Sequence, residues 1–257
     1  MDSRIARVGA IFPRGVGDFL RQVGLFLLVD VGYETTRQLS SARAGVALAH
    51  GRDLVRMERI LGLFNEVEVQ QWALARPWAI NLANTTYFAL SFSISIVFIT
   101  WLYFWRNNHY YFVRNIVFAT DAIALLGYVS FPAAPPRLLG HFGFVDTLAH
   151  GALSQQSPVV AALANPFAAF PSIHTAYALI AGLGGFALFG RWELRFASLS
   201  YPVLVVFAVV ATGNHFWLDA VGGAMTVLAA TGIAWLLELV RPSLPRSTRQ
   251  RLRLSPD

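Results

Sequence analysis

The chain has 257 residues, 56% of them hydrophobic and 13% charged, with a formal net charge of +6 and no cysteine. Soluble domains carry roughly 25% charged residues, so this balance excludes an ordinary soluble fold and points to a membrane protein; the lack of cysteine excludes disulfides, thiolate metal sites and cysteine nucleophiles. All twenty basic residues are arginine, and these fixed guanidinium charges flank apolar runs, a pattern that suits phosphate and lipid headgroups and argues against a nucleic-acid-binding face.

In chain order, the basic N-terminal stretch MDSRIARVGAIFPRGVGDFL lacks a small-residue cleavage site before the first apolar run and reads as retained. Runs suited to crossing a core of about 30 Å fall at 17–36, 82–105, 111–131, 171–190, 196–213 and 216–239. The first carries Asp30 and Glu34 in its outer half; the others are nearly unbroken. Between the first two, residues 43–75 are too charged to span. There Leu54, Met57, Leu61, Phe64 and Val67 recur at helical spacing, which predicts an amphipathic helix in the outer interface, serving either as a packing strut or as a platform that attracts anionic headgroups. Residues 241–257 form a basic tail.

The expected fold is all-α: one polytopic membrane domain of six transmembrane helices with an additional interfacial amphipathic helix. Six spans place thirteen of the twenty arginines, with both termini, on one side, which the positive-inside rule makes cytoplasmic.

Three polar stretches then share the opposite, extracytoplasmic side. FPAAPPRLL closes the third span and leaves Arg137 beyond Pro132, Pro135 and Pro136. FPSIH opens the fourth, with Pro171 suited to the first helical position, so that the N–H groups of Ser172, Ile173 and His174 point outward as an anion-binding end. GNHFWLD joins the fifth to the sixth. There His215 and Asp219 are four apart on one helical face, a spacing that lets a carboxylate fix an imidazole's tautomer and support its cation. Ser172 and Arg137 supply phosphate donors, His215 a nucleophile and His174 a leaving-group acid. Asp30 and Asp121 face either a headgroup or a polar neighbour on another span. His141 and His150 read as solvated residues of a long 137–170 loop with a possible lid role, and the tryptophans as interfacial belts.

These three segments resemble the signature motifs of the type 2 phosphatidic acid phosphatase superfamily. Their wording is most similar to the branch that contains the aureobasidin-resistance protein, an inositol phosphorylceramide synthase, and bacterial relatives. The resemblance covers about residues 80–240. It implies that His215 forms a phosphohistidine with Asp219 as its partner and that His174 protonates the departing oxygen. It also implies that Ser172 and Arg137 bind phosphate and that no metal or other cofactor is needed.

Two of the superfamily's phosphate-binding cations are missing, since Ser130 stands at the first motif's lysine and Val209 at the third motif's arginine; Ile173 and Leu138 replace a usual glycine and proline. Substitutes are expected from Asn214, as a phosphate-binding amide, from Arg76, or from the arginines of 43–75. The resemblance thus implies a phosphotransferase acting on a phospholipid or lipid-phosphate headgroup, with an inositol, sugar or lipid alcohol as acceptor, in a bacterial inner membrane. The alternatives are a lipid or polyprenyl phosphate phosphatase and a non-catalytic phospholipid-binding protein. The missing cations favour the non-catalytic reading; the intact His174, His215 and Asp219 oppose it.

Overall fold

The computed structural model describes residues 12–41, 43–147 and 167–240, with 33–41 described by backbone alone. The basic tail, Arg4, Arg7 and the stretch 148–166 with His150 lie outside the described residues.

The described chain is helical: α1 (Gly15–Ser41), α2 (Ala44–Ile60), α3 (Glu66–Leu74), α4 (Pro77–Trp105), α5 (Asn107–Ser130), α6 (Ile173–Leu188), α7 (Trp192–Ala211) and α8 (Trp217–Val240). Four of these, α4, α5, α7 and α8, are long and apolar enough to cross a membrane, which makes the chain an integral membrane protein. The two remaining expected spans also form helices. α6 is apolar but has 16 residues, a rise of only about 24 Å. α1 has 27 residues but carries Asp18, Arg21, Asp30, Glu34 and Arg37.

α6 is the hub, in contact with α4, α5, α7 and α8. Its buried side is built from Ile173, Ala176, Ala178, Ile180 and Ala181, and small residues of this kind let helices approach where no hydrophobic effect drives them together. The closest approach is at Gly223 of α8, where a Cβ would lie 2.4 Å from the Ser172 carbonyl oxygen. α1 packs on α5 and is tied down at its N-terminal end by Asp18, which accepts from Tyr103 and Tyr111, and by Arg114, which donates to Gln22.

The segment 43–75 departs from expectation. It is two helices, not one, because Gly62 takes φ 68° and closes α2. Leu63 N–H donates to the Glu58 carbonyl and Gly62 N–H to that of Arg59, the paired bonds of a left-handed helix stop. The inward face also differs. Met57 and Leu61 are 49% and 58% exposed, whereas Ala47, Gly51, Leu54, Val55 and Glu58 are buried. The partner of α2 is the extended chain after α5: Ala134 N–H donates to the Ala47 carbonyl, and a Cβ on Gly51 would sit 2.8 Å from the Ala134 oxygen. Close backbone approach selects small residues, which a search for large apolar ones passes over.

Gly223→Ala is expected to destabilise the folded protein by about 2 kcal/mol, since backbone stands where the methyl must go. Gly232→Ala, whose Cβ meets nothing within 4 Å, serves as its neutral control. Thermal melting of both variants in detergent tests this; equal melting temperatures would contradict the packing described.

Candidate active site

The three polar stretches meet at one end of the bundle, laced together by their own backbones. Ala133 N–H donates to the Phe167 carbonyl and Ala169 N–H to that of Ala133, forming a short parallel bridge. Arg137 N–H reaches the Gly213 carbonyl at 2.8 Å, and Ser172 N–H that of Asp219 at 2.9 Å. Gly213 makes the turn after α7 with φ 69°, a conformation open to glycine. The Val209 carbonyl, at the position of the absent motif arginine, accepts from both Asn214 and His215 N–H groups.

His215 is buried, and its Nδ1 lies 2.9 Å from the Ala169 carbonyl oxygen and 3.3 Å from Asp219 Oδ2. A carbonyl oxygen only accepts, so Nδ1 carries the proton and Nε2 keeps its lone pair. Burial, aided by the Arg137 charge, lowers the His215 pKa to about 3, against the pull of the Ala169 carbonyl. The resting imidazole is therefore neutral at physiological pH.

His174 stands on the first turn of α6, its ring centroid 5.7 Å from that of His215. Its Nδ1 is 3.0 Å from Ser91 Oγ, which donates its own proton to the Tyr87 carbonyl at 2.7 Å. Ser91 must then accept from Nδ1–H, and Nε2 is again the nitrogen left over. Tyr87 and Phe92 flank the His174 ring with centroids at 4.6 Å each.

The expected phosphate donors divide. Arg137 is buried beside this pair, 6% exposed, and its Nε donates to Asn214 Oδ1 at 3.0 Å. Asn214 in turn donates through Nδ2 to Thr212 Oγ1 at 2.7 Å. Its amide oxygen is thus turned onto Arg137, which it orients. Ser172 is the cap of α6, not its second residue: its Oγ accepts from Thr175 N–H and Thr175 Oγ1. Pro171 accordingly precedes the cap instead of opening the helix. The Ser172 N–H, expected to face outward, is spent on Asp219.

Arg76 packs on Trp72 and donates to its carbonyl, and Arg52, Arg56 and Arg59 are exposed. Arg137 is the arginine buried among the described residues. Asp121 pairs with Tyr177 of α6, and His141 is exposed against Phe142.

Sequence reasoning missed Ser91, Glu58 and Glu66. Ser91 sits in SFSISIVFI, where the one available signal is a hydroxyl amid an apolar span. The two glutamates lie in the charged segment 43–75, where no spacing singles them out, and are fully buried.

Residues 52–233 match the model of the PAP2 superfamily. No curated protein and no solved structure matches the chain. The family match spans well over half of the sequence and contains Arg137, His174, His215 and Asp219; the chain belongs to the PAP2 superfamily and is a phosphatase or phosphotransferase of the type 2 phosphatidic acid phosphatase kind.

Proposed function

We propose that this protein transfers a phosphoryl or phospho-headgroup of a membrane lipid to an alcohol acceptor through a phosphohistidine on His215. The reading includes six spans, α1, α4, α5, α6, α7 and α8, with the site on the extracytoplasmic face of a bacterial inner membrane. One observation carries the chemistry. Two neighbouring imidazoles, that of His215 buried and that of His174 half-buried, with ring centroids 5.7 Å apart, each have Nδ1 engaged elsewhere and Nε2 left to react.

In the first step His215 Nε2 attacks phosphorus, and the bond to the leaving lipid oxygen breaks as that oxygen takes a proton from His174 Nε2, a proton that His174 takes up from solvent when the anionic phosphate beside it favours the imidazolium. The positive charge that develops on His215 is met by Asp219 through Nδ1–H. Arg137, held by Asn214, faces the phosphoryl oxygens. In the second step His174 takes the proton of an incoming hydroxyl, whose oxygen displaces His215. The burial of Arg137, Ser172, His215 and Asp219 favours an alcohol over bulk water in that step, as an inositol phosphorylceramide synthase-like exchange requires.

The purified protein is tested with phosphate-labelled phosphatidylinositol and lipid phosphates, assaying headgroup-exchanged lipid, free phosphate and acid-labile label on protein. Exchanged lipid supports transfer; free phosphate alone would replace it with hydrolysis. His215→Ala is expected to hold no label and to form neither product. His174→Ala should lose about 10²–10⁴-fold in kcat with natural lipids, yet accumulate labelled protein from a p-nitrophenyl phosphate ester, whose leaving group needs no acid. Label retained by His215→Ala would sink the reading.

Ser91→Ala removes the acceptor that fixes the His174 tautomer, and kcat is expected to fall about tenfold with little change in KM. Ser91→Thr, which keeps the hydroxyl, should recover most of it. An unchanged kcat in Ser91→Ala would remove Ser91 from the site.

A further inference from the structure

The start of α8, immediately after His215, is capped in an unusual way. Its first N–H groups have no partners within the helix, and three consecutive ones are each met by a carboxyl group. Phe216 N–H donates to Asp219 Oδ2 at 2.8 Å, Trp217 N–H to Glu66 Oε1 at 3.2 Å and Leu218 N–H to Glu58 Oε1 at 2.8 Å. Glu58, Glu66 and Asp219 are all at 0% exposure. The glutamates come from two different helices, α2 and α3, on either side of the Gly62 turn.

Anionic groups at a helix N-terminus are favourable, but three full charges buried together repel and lose hydration. Glu58 and Glu66 lie within hydrogen-bond reach of each other, while Glu58 Oε2 and Glu66 Oε2 are buried with no N–H or O–H donor among the described residues. A single proton held between those oxygens satisfies both and removes one charge. The cluster is not arranged for a cation, for no group of three or more His, Asp or Glu among the described residues could hold a metal ion.

We propose that Glu58 and Glu66, sharing one proton, are positioning residues for His215: they fix the first turn of α8, and so the angle at which Asp219 and the preceding imidazole meet the substrate. The inference rests on the phosphoryl-transfer reading above. The titratable groups facing Glu58 are Glu66 from α3 and Asp219 from α8, while Arg52, Arg56 and Arg59 of its own helix are exposed. Burial first, then the bond to Glu66, pushes the Glu58 pKa from 4.5 up to about 9, against the Leu218 N–H. A carboxyl raised in the folded state adds stability that is full below pH 4.5 and is lost progressively as pH rises to about 9.

The test uses the full-length protein in detergent, with melting temperature and kcat followed from pH 5 to 10. Glu58→Ala leaves Leu218 N–H and Glu66 unmatched and is expected to lower kcat about tenfold or more with KM little changed. Glu58→Gln imitates the protonated acid, its oxygen accepting from Leu218 N–H and its amide donating to Glu66. It should recover most of the turnover that alanine loses, abolish the fall in kcat near pH 9, and flatten the decline in melting temperature between pH 5 and 9. A Glu58→Gln protein with the parent's alkaline fall, or a Glu58→Ala protein with the parent's kcat, would overturn the proposal. If Glu58→Ala fails to fold, the glutamine pH profile decides. A parent protein with no turnover on any lipid would end the positioning role together with the phosphoryl-transfer reading, whereas melting curves that are identical in parent and Glu58→Gln would end the shared proton alone.

Discussion

Backbone polar groups removed from water must find partners inside the protein, and in a bundle of apolar helices this is the constraint on which the site depends. Three buried segments lie between the long helices: 131–139, which has a single 3-10 turn at Pro136–Leu138, 167–172 and 212–216. None satisfies all of its own N–H and C=O groups, so they satisfy one another's. Ala133 bonds with Phe167 and Ala169, Arg137 with Gly213, and Ser172 with Asp219. The same exchange extends into side chains, with Tyr128 donating to the Pro171 carbonyl and His215 to that of Ala169. Residues far apart in sequence are thereby fixed within hydrogen-bond reach.

Charge is distributed under the same constraint. A lone buried ion is costly, and the cost is lowered by hydrogen bonds as much as by opposite charge. Arg137 is held by Asn214; Asp219 by a backbone N–H and an imidazole; Glu58 and Glu66 by the next two N–H groups of α8. Each of these buried groups is thus tied to a helix end or a turn, whose position is set by packing. The resting site carries one buried guanidinium and neutral His215, an arrangement ready to receive an anion. On this view the absence of cations at positions 130 and 209 is met by concentrating the role on Arg137. Ser130 bonds to the Leu126 carbonyl in its own helix, and Val209 is a packed core residue whose carbonyl anchors the His215 turn.

Much of this was legible in the sequence, for definite physical reasons. Apolar runs near 20 residues predict helices well, and those at 111–131 and 216–239 correspond to α5 and α8 within a few residues. The HxxxD spacing does bring His215 and Asp219 together, though not on one helical face as expected: His215 precedes α8, and the Asp219 carboxylate on the first turn reaches back to Phe216 N–H and His215 Nδ1. What escaped was decided by tertiary contacts. Asn214 looked like a phosphate ligand because an amide is a general donor, and only the fold shows Arg137 taking its oxygen. Glu58 and Glu66 escaped notice because, in a segment with many charges, nothing in the spacing marks which acids turn inward. Arg76 seemed a spare cation, yet it stacks on Trp72. The face of α2 that is buried in the protein was not legible because its neighbour is bare backbone, which admits Ala47 and Gly51 where a helix neighbour would have drawn large apolar side chains inward.

The position of Ser91 depends on a local irregularity that no periodicity argument would supply. α4 contains one wide turn, Thr86–Leu90, with π-type bonding. Its buried positions are Ala79 and Ala83 before that turn, Thr86 in it, and Ser91, Phe98, Leu102 and Tyr103 after it. A step of five residues from Thr86 to Ser91 would carry a regular helix well past one full turn and swing Ser91 away from the core. The wide turn absorbs the extra residue, so the buried face continues unbroken and Ser91 arrives under His174. The hydroxyl's bond to the Tyr87 carbonyl also satisfies an acceptor that the wide turn loosens. Such turns cost regular hydrogen bonding and persist where another contact repays it. Here that contact is the Nδ1–H of His174, so the irregularity in α4 and the tautomer of the imidazole hold each other in place.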